Sequence, residues 1–261
     1  MGIKKFQHCN SRSGIDTKVA AYIQISKAVI YAEGVTPVKK SAPAFLQNWI
    51  QELSTTERLD AGVLRSILKQ NTPSLEDLSA WVKYDHEPCF SYGRSTLWSS
   101  ERCGIHVMTW NPGDFTAPHG HGEADWALMY FLGDGDQRVY EVSGGQIKLQ
   151  ARQKIPAGSV LTPHIAGFCH AMGNLGSKPF LTLHIYGSDH HRGIPTEGSK
   201  IYEIEKNRIR RSKGPAFLEM AENFYIDNST EALNCDQETR QDYYECIRSY
   251  FQRTGLDARL R

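Results

Sequence analysis

Gly113-Asp-Phe-Thr-Ala-Pro-His119-Gly-His121 and, further along, Gly167-Phe-Cys-His170-Ala-Met-Gly-Asn174 are the two stretches on which the reading of this chain turns. On an extended strand, side chains two apart point to the same face. His119 and His121 can therefore aim two imidazoles in one direction, about 7 Å apart along the strand. Neutral imidazole suits iron, copper, nickel or zinc. Pro118 and Gly120 fit an irregular, bulged stretch of strand. Eight of the ten histidines fall between positions 106 and 191, so these two stretches sit inside the chemically richest part of the chain.

Around them, residues 91–206 alternate like strands. Gly104-Ile-His-Val-Met-Thr-Trp, Trp126-Ala-Leu-Met-Tyr-Phe-Leu, Arg138-Val-Tyr-Glu-Val, Gln146-Ile-Lys-Leu-Gln-Ala and Phe180-Leu-Thr-Leu-His-Ile-Tyr are separated by Gly, Pro, Asp and Ser. Such punctuation predicts a sandwich or barrel. Ser143-Gly-Gly-Gln reads as a hairpin turn. No long helical pattern separates the strands, which disfavours a parallel α/β sheet.

Residues 1–90 read as a helical segment packed on the barrel. Apolar positions recur at helical spacing over Val19–Tyr31, then through Leu46, Trp49, Ile50 and Leu53, then through Leu59, Val63, Leu64, Ile67 and Leu68. Ser74 and Asp77 mark one helix start. Residues 207–261 read as a helical C-terminal extension, with Pro215 suited to a first helical turn and an amphipathic stripe from Ala232 to Phe251.

Thirty basic side chains nearly cancel 29 acidic ones, leaving a net charge of +1. That balance gives no support to a nucleic-acid or membrane-surface partner. The local cluster Arg208, Arg210, Arg211, Lys213 reads as a solvated turn. No apolar run approaches the ~20 residues of a membrane helix, and Met1-Gly-Ile-Lys-Lys-Phe lacks the apolar core of a secretory signal. A cytoplasmic protein is expected. Its six cysteines form no Cys-x-x-Cys pair and read as reduced thiols.

Taken together, Gly-x5-His-x-His and Gly-x2-His-x3-Asn resemble the two signature motifs of the cupin superfamily, double-stranded β-barrels of jelly-roll type. The resemblance implies a mainly β fold with N-terminal helices. Many cupins add a glutamate ligand four or five residues after the second histidine. Here those positions hold Asp125 and Trp126, with Glu123 only two residues on. The simplest site is thus three histidines, His119, His121 and His170, which leaves about three open positions on an octahedral iron.

Over about residues 45–190 the chain further resembles the thiol dioxygenases of the cysteine dioxygenase type. Arg94 precedes the His-x-His at the family's interval, and Leu181-Thr-Leu-His-Ile-Tyr-Gly-Ser is similar to the family's Ser-x-His-x-Tyr strand. The resemblance implies Fe(II) as cofactor. It also implies a small thiol carboxylate and dioxygen as substrates, and a sulfinate as product. In that picture Arg94 holds the carboxylate and Tyr186 is an acid beside the metal.

The residues make the same sense chemically. Thr182, His184 and Tyr186 share one strand face and can form a hydrogen-bond relay. Arg94 offers a planar fork that matches a carboxylate, and Tyr92 shares its strand face. One departure stands out. Animal-type relatives carry a crosslinking cysteine five residues after the second histidine, where this chain has Trp126. A bulky indole there would reshape the pocket beside Tyr186, which keeps two alternatives open: an iron oxygenase acting on a small non-thiol carboxylate, and a non-catalytic metal-binding or sensing cupin. Among the other candidates, His164 reads as a mouth residue, His190 and His191 as a polar loop with Asp189, and Cys169 as core.

Overall fold

Strand alternation turns an apolar face outward from the barrel wall and carries His106, Thr182, His184 and Tyr186 inward, beside Met108, Trp110 and Phe180. The computed structural model describes residues 42–87, 90–190 and 193–255. The expected helix over Val19–Tyr31, Cys9, Cys89 and His191 lie outside the described residues.

Strands β1 (Gly93–Ser99), β2 (Cys103–Trp110), β3 (Trp126–Phe131), β6 (Val160–Leu161) and β8 (Phe180–Gly187) form one sheet in the order β1-β2-β8-β3-β6. The facing sheet contains β5 (Gln146–Ile155), β4 (Gly135–Ser143) and β7 (Cys169–Gly173) in that order. It continues through bridges from Phe115 to Gly173 and from His119 to His170, so residues 115–119 act as a further strand. His119 also bridges Ile201 of β9 (Ser199–Glu203), which pairs with β10 (Arg208–Ser212) and then β11 (Glu231–Ala232). The short β12 (Asn234–Cys235) lies parallel on β5. Chain segments pass repeatedly from one sheet to the other, giving a jelly-roll double-stranded β-barrel. The β4–β5 hairpin turns at Gly144 and Gly145, with φ of 56° and 75°, and a two-residue turn of this hand needs both positive.

Strands β2 and β8 are buried at every position. Their odd-numbered residues, Cys103, Ile105, Val107, Leu181, Leu183 and Ile185, join an outer core with Trp49, Leu53, Leu64 and Ile67. These last belong to α1 (Ala44–Thr55) and α2 (Ala61–Gln70), which cover the sheet. Each such side chain, removed from water, contributes about 1.5–3 kcal/mol. Asp60 caps α2 through Gly62 and Val63, and Ser74 with Asp77 forms a reciprocal capping box on the short α3 (Leu75–Leu78).

A second core lies behind the other sheet. Helix α4 (Gln237–Thr254) buries Tyr243, Cys246, Ile247, Tyr250 and Phe251 against Tyr140, Ile147, Cys169, Ala171 and Ile201. The amphipathic stripe read from the sequence is therefore a helix face, and Cys169 sits in this core as expected. Burial pushes the Cys169 thiol far above its ordinary pKa. Cys103, Cys169, Cys235 and Cys246 are free thiols.

The expected helix at Pro215 does not form. Residues 215–218 instead run extended across the barrel, where Ala216 N donates to Tyr92 Oη at 3.1 Å and Leu218 N donates to Ser91 Oγ at 3.1 Å. These long-range bonds override the local preference. The basic cluster is also not a solvated turn. Arg208, Arg210 and Arg211 lie in β10, which is joined to β9 through residues 204–207, and Lys213 follows the strand. Arg210 is buried, paired bidentately with Glu222 at 2.9 and 2.8 Å and stacked 3.5 Å from the Tyr225 ring, while Arg208 pairs with Glu203.

Three distant parts of the chain meet at Asp114, which is 0% exposed. His86 Nε2 lies 2.9 Å from one carboxylate oxygen, and Arg253 Nη2 of α4 donates to the other at 2.6 Å. Arg253→Met leaves a buried carboxylate without its guanidinium, so it should lower unfolding free energy by about 3 kcal/mol. Urea denaturation measures this, and an unchanged midpoint would remove Asp114 as a clamp between segments.

Candidate metal centre

The sheet containing residues 115–119 and β7 brings the two histidine motifs side by side. His119 N donates to His170 O at 2.8 Å, and His170 N donates to His119 O at 3.1 Å. This paired ladder contact sets the backbone spacing of the two ligand positions. His121, two residues on, shares the inward face. One ring nitrogen from each of His119, His121 and His170 lies within 4.8 Å of the others, and all three side chains are buried.

The surroundings leave those nitrogens free. His119 Nδ1 donates to Ala117 O at 2.9 Å, and His170 Nδ1 donates to Gln137 Oε1 at 2.9 Å. In each ring this places the proton on Nδ1 and the lone pair on Nε2. His170 Nε2 and both nitrogens of His121 are buried without a hydrogen-bond partner. Leaving a buried polar atom unpaired costs about 1–3 kcal/mol. The unpaired Nε2 of His170 and an unpaired nitrogen of His121, set beside the lone pair of His119, fit a cation better than they fit a packed core. Burial, opposed by the Ala117 hydrogen bond and assisted by the Arg94 charge, lowers the His119 pKa to about 4. Burial and the neighbouring imidazoles hold His121 and His170 well below the ordinary histidine value. All three rings are neutral donors near pH 7, suited to iron, copper, nickel or zinc.

The two carboxylates of the His121 turn lie elsewhere. Asp125 Oδ2 accepts from Ser188 Oγ at 2.6 Å and Asp189 N at 2.9 Å, while Glu123 is exposed. The centre is a three-histidine set among the described residues.

A small cavity opens beside these rings, lined in part by Tyr92, Arg94, His184, Tyr186 and Thr196. The expected relay is present. Thr182 Oγ1 is 2.7 Å from His184 Nε2, and His184 Nδ1 is 2.7 Å from Tyr186 Oη. Trp110 Nε1, a group that can only donate, donates to Thr182 Oγ1 at 2.9 Å. In the tautomer with the proton on His184 Nδ1, the threonine donates to Nε2, Nδ1 donates to Tyr186 Oη, and the phenol is left to donate into the cavity; in the other tautomer Tyr186 donates to Nδ1. Burial, with the Arg94 and His119 charges, lowers the His184 pKa to about 3, so this ring stays neutral. Burial raises that of Tyr186, opposed by Arg94, so the phenol keeps its proton.

Arg94 lies against the Tyr92 hydroxyl and reaches His106 Nε2 at 3.5 Å. Tyr92 also stacks on Trp110 with centroids 5.0 Å apart. Trp126 is different. In the β3–β8 register Trp126 pairs with Gly187, and Ala127 pairs with Tyr186. The indole therefore points outward into the helix-covered core, with Nε1 3.4 Å from Asp189 Oδ1. The side chain opposite Tyr186 is a methyl group, and the indole does not enter the cavity as the sequence suggested. The pocket placement of Trp126 rests on the family's cysteine position, whereas alternation from His121 puts Ala127, six residues on, on the inward face and Trp126, five on, on the outward one. His164 and His190 are exposed and take no part. Sequence reasoning passed over Gln137, Trp110, His106 and Thr196; only Trp110 and His106, on alternating positions of β2, carried a signal that could have found them.

No protein-family model matches the sequence. Similar solved structures include a conserved protein with a double-stranded β-helix domain from Klebsiella pneumoniae (17% identity, TM-score 0.33, 44% of this chain and 89% of that one). Oxalate decarboxylase of Lactobacillus farciminis in its formate complex is similar at 15% identity and TM-score 0.34, over 43% of this chain and 32% of that one. The cupin domain of Cnp3 from Schizosaccharomyces pombe is similar at 12% identity and TM-score 0.31, over 38% and 65%.

His170→Ala should abolish tight metal binding, and Gln137→Leu, which frees the His170 ring, should weaken it about 10–100-fold. Competition with a chromogenic chelator measures both; equal affinities across the series would remove the ligand set. Folding should also respond to acid. His106 and His184 are held neutral in the fold by burial, with pKa values below the ordinary 6.5. The unfolded chain takes up protons on both near 6.5, so stability is full above that pH and declines as pH falls below it. Urea midpoints of metal-free protein between pH 7 and pH 4.5 test this, and a flat profile would contradict neutral buried rings.

Proposed function

We propose that this protein is a mononuclear non-haem Fe(II) dioxygenase that oxidises a small thiol carboxylate, cysteine-like in size, to its sulfinate. The observation that carries this reading is Arg94. Among the described residues its guanidinium has no carboxylate partner. It lines the same cavity as His119, His121 and the Tyr186 phenol. A cation without an internal counter-charge, set beside a metal-capable cluster, fits a substrate with an acid at one end and a soft donor at the other.

When bound, Fe(II) supplies a coordination position for sulfur and the one-electron chemistry that lets dioxygen react with a spin-paired thiol. The chain supplies the rest. Arg94 fixes the carboxylate and so sets where the sulfur sits. Tyr186 Oη, ordered by His184, Thr182 and Trp110, donates a hydrogen bond towards the oxygen that gains negative charge as sulfur is oxidised. Met108 and Met172 add apolar wall to the same cavity. Thiol plus dioxygen gives sulfinic acid with both oxygen atoms on sulfur, so no separate reductant is consumed. Ala127 opposite Tyr186 removes the crowding that favoured a non-thiol substrate.

Iron-loaded protein given cysteine-like thiols should consume oxygen and yield one sulfinate per dioxygen. Uptake confined to non-thiol acids, or none at full iron occupancy, would overturn the assignment. Tyr186→Phe should retain iron and lower kcat about 100-fold, with oxygen uptake exceeding sulfinate formed; unchanged rate and coupling would remove its role.

A further inference from the structure

We propose that Thr196 completes the carboxylate site, so that substrate is clamped between Arg94 from the start of the barrel and Thr196 from the segment that follows the last barrel strand. The inference rests on the reading that a carboxylate occupies Arg94, and it adds the second contact.

Thr196 lines the cavity and is 4% exposed, yet its Oγ1 is buried without a hydrogen-bond partner. An unpaired hydroxyl in a folded interior is unusual, because its lost hydration is not recovered. Its location supplies the reason. The point at which a Cβ on Gly214 would sit is 2.8 Å from Thr196 Oγ1 and 3.9 Å from Arg94 Nη2. Gly214 borders both groups and carries no side chain to stand between them. Hydroxyl and guanidinium face the same cavity, and a carboxylate there offers two oxygens with lone pairs for them.

The hydroxyl is held in place. Ser199 N and Oγ both donate to Thr196 O, at 3.2 and 2.6 Å, and Glu197 N donates to Ile194 O at 2.9 Å, closing a tight turn. That turn rests on the backbone directly after His121: a Cβ on Gly122 would lie 2.1 Å from Glu197 O. Gly198 N donates to Ser212 O at 2.9 Å and ties the turn to β10. Thr196 is thus fixed relative to both the imidazole cluster and Arg94. The clamp sets the distance from acid group to sulfur, and it selects carboxylates over the matching amine-only thiols.

The test uses zinc-loaded protein, whose metal binds thiols without oxygen chemistry, and calorimetric titration with cysteine and with its decarboxylated analogue, cysteamine. Thr196→Val should raise the cysteine Kd about 10-fold, with a much smaller change for cysteamine. Thr196→Ser should restore most of the cysteine affinity. Because Val removes a hydroxyl that has no partner, the melting temperature should not fall. The clamp is overturned if Thr196→Val leaves the cysteine Kd unchanged, raises both Kd values equally, or lowers the melting temperature while Ser fails to restore binding. If Arg94→Gln alters the cysteine-to-cysteamine ratio while Thr196→Val does not, this inference fails and the carboxylate reading at Arg94 stands. If the variants behave as expected on zinc but iron-loaded protein consumes no oxygen, the clamp stands and the oxidation reading fails.

Discussion

Three imidazoles must be kept buried and neutral, with nitrogens of His121 and His170 unpaired, while a folded chain closes around them, and this requirement organises the molecule. Unpaired polar atoms oppose folding, so they persist only where other interactions hold the backbone in place. Here the paired backbone hydrogen bonds between His119 and His170 join residues 115–119 to β7. The same two bonds that complete the sheet also bring the ligand positions together. Ala117 O and Gln137 Oε1 then assign the protons, so that each accepting nitrogen faces inward.

The second polar line in the barrel obeys the same logic. Indole N–H has no acceptor capacity, so Trp110 fixes Thr182 Oγ1 as its acceptor at one end, and Thr182, His184 and Tyr186 follow in hydrogen-bond contact. The line holds the phenol at one position beside the cavity. Preorganisation of this kind is what allows a neutral phenol to act at a fixed position.

Much of this was legible in the residues, because its periods are local. The spacing of His119 and His121, the alternation of Thr182, His184 and Tyr186, and the helical stripe ending at Phe251 are each set within one element. What could not be read depends on register or on contacts between distant segments. Trp126 is placed in the pocket by its match to the family's cysteine position, but in the β3–β8 register it is Ala127 that pairs with Tyr186. Pro215 suits a helix start locally, yet Tyr92 and Ser91 hold its neighbours extended. Gln137 and Thr196 carry no pattern of their own; their roles come from what lies across the sheet or beside the cavity. The first expected helix lies outside the described residues, and the roles of Arg94 and Tyr92 rest on geometry that a single strand face suggested.

Each strand of the β2–β8 pair carries its greasy residues outward to α1 and α2, and its reactive ones inward. Most of the free energy that keeps the protein folded is therefore released on the far side of the wall from the chemistry. Side chains within the lumen can be exchanged for others of similar bulk without disturbing that adhesive layer. A barrel of this design is well suited to acquiring new reactions: its specificity can drift while its architecture stays put.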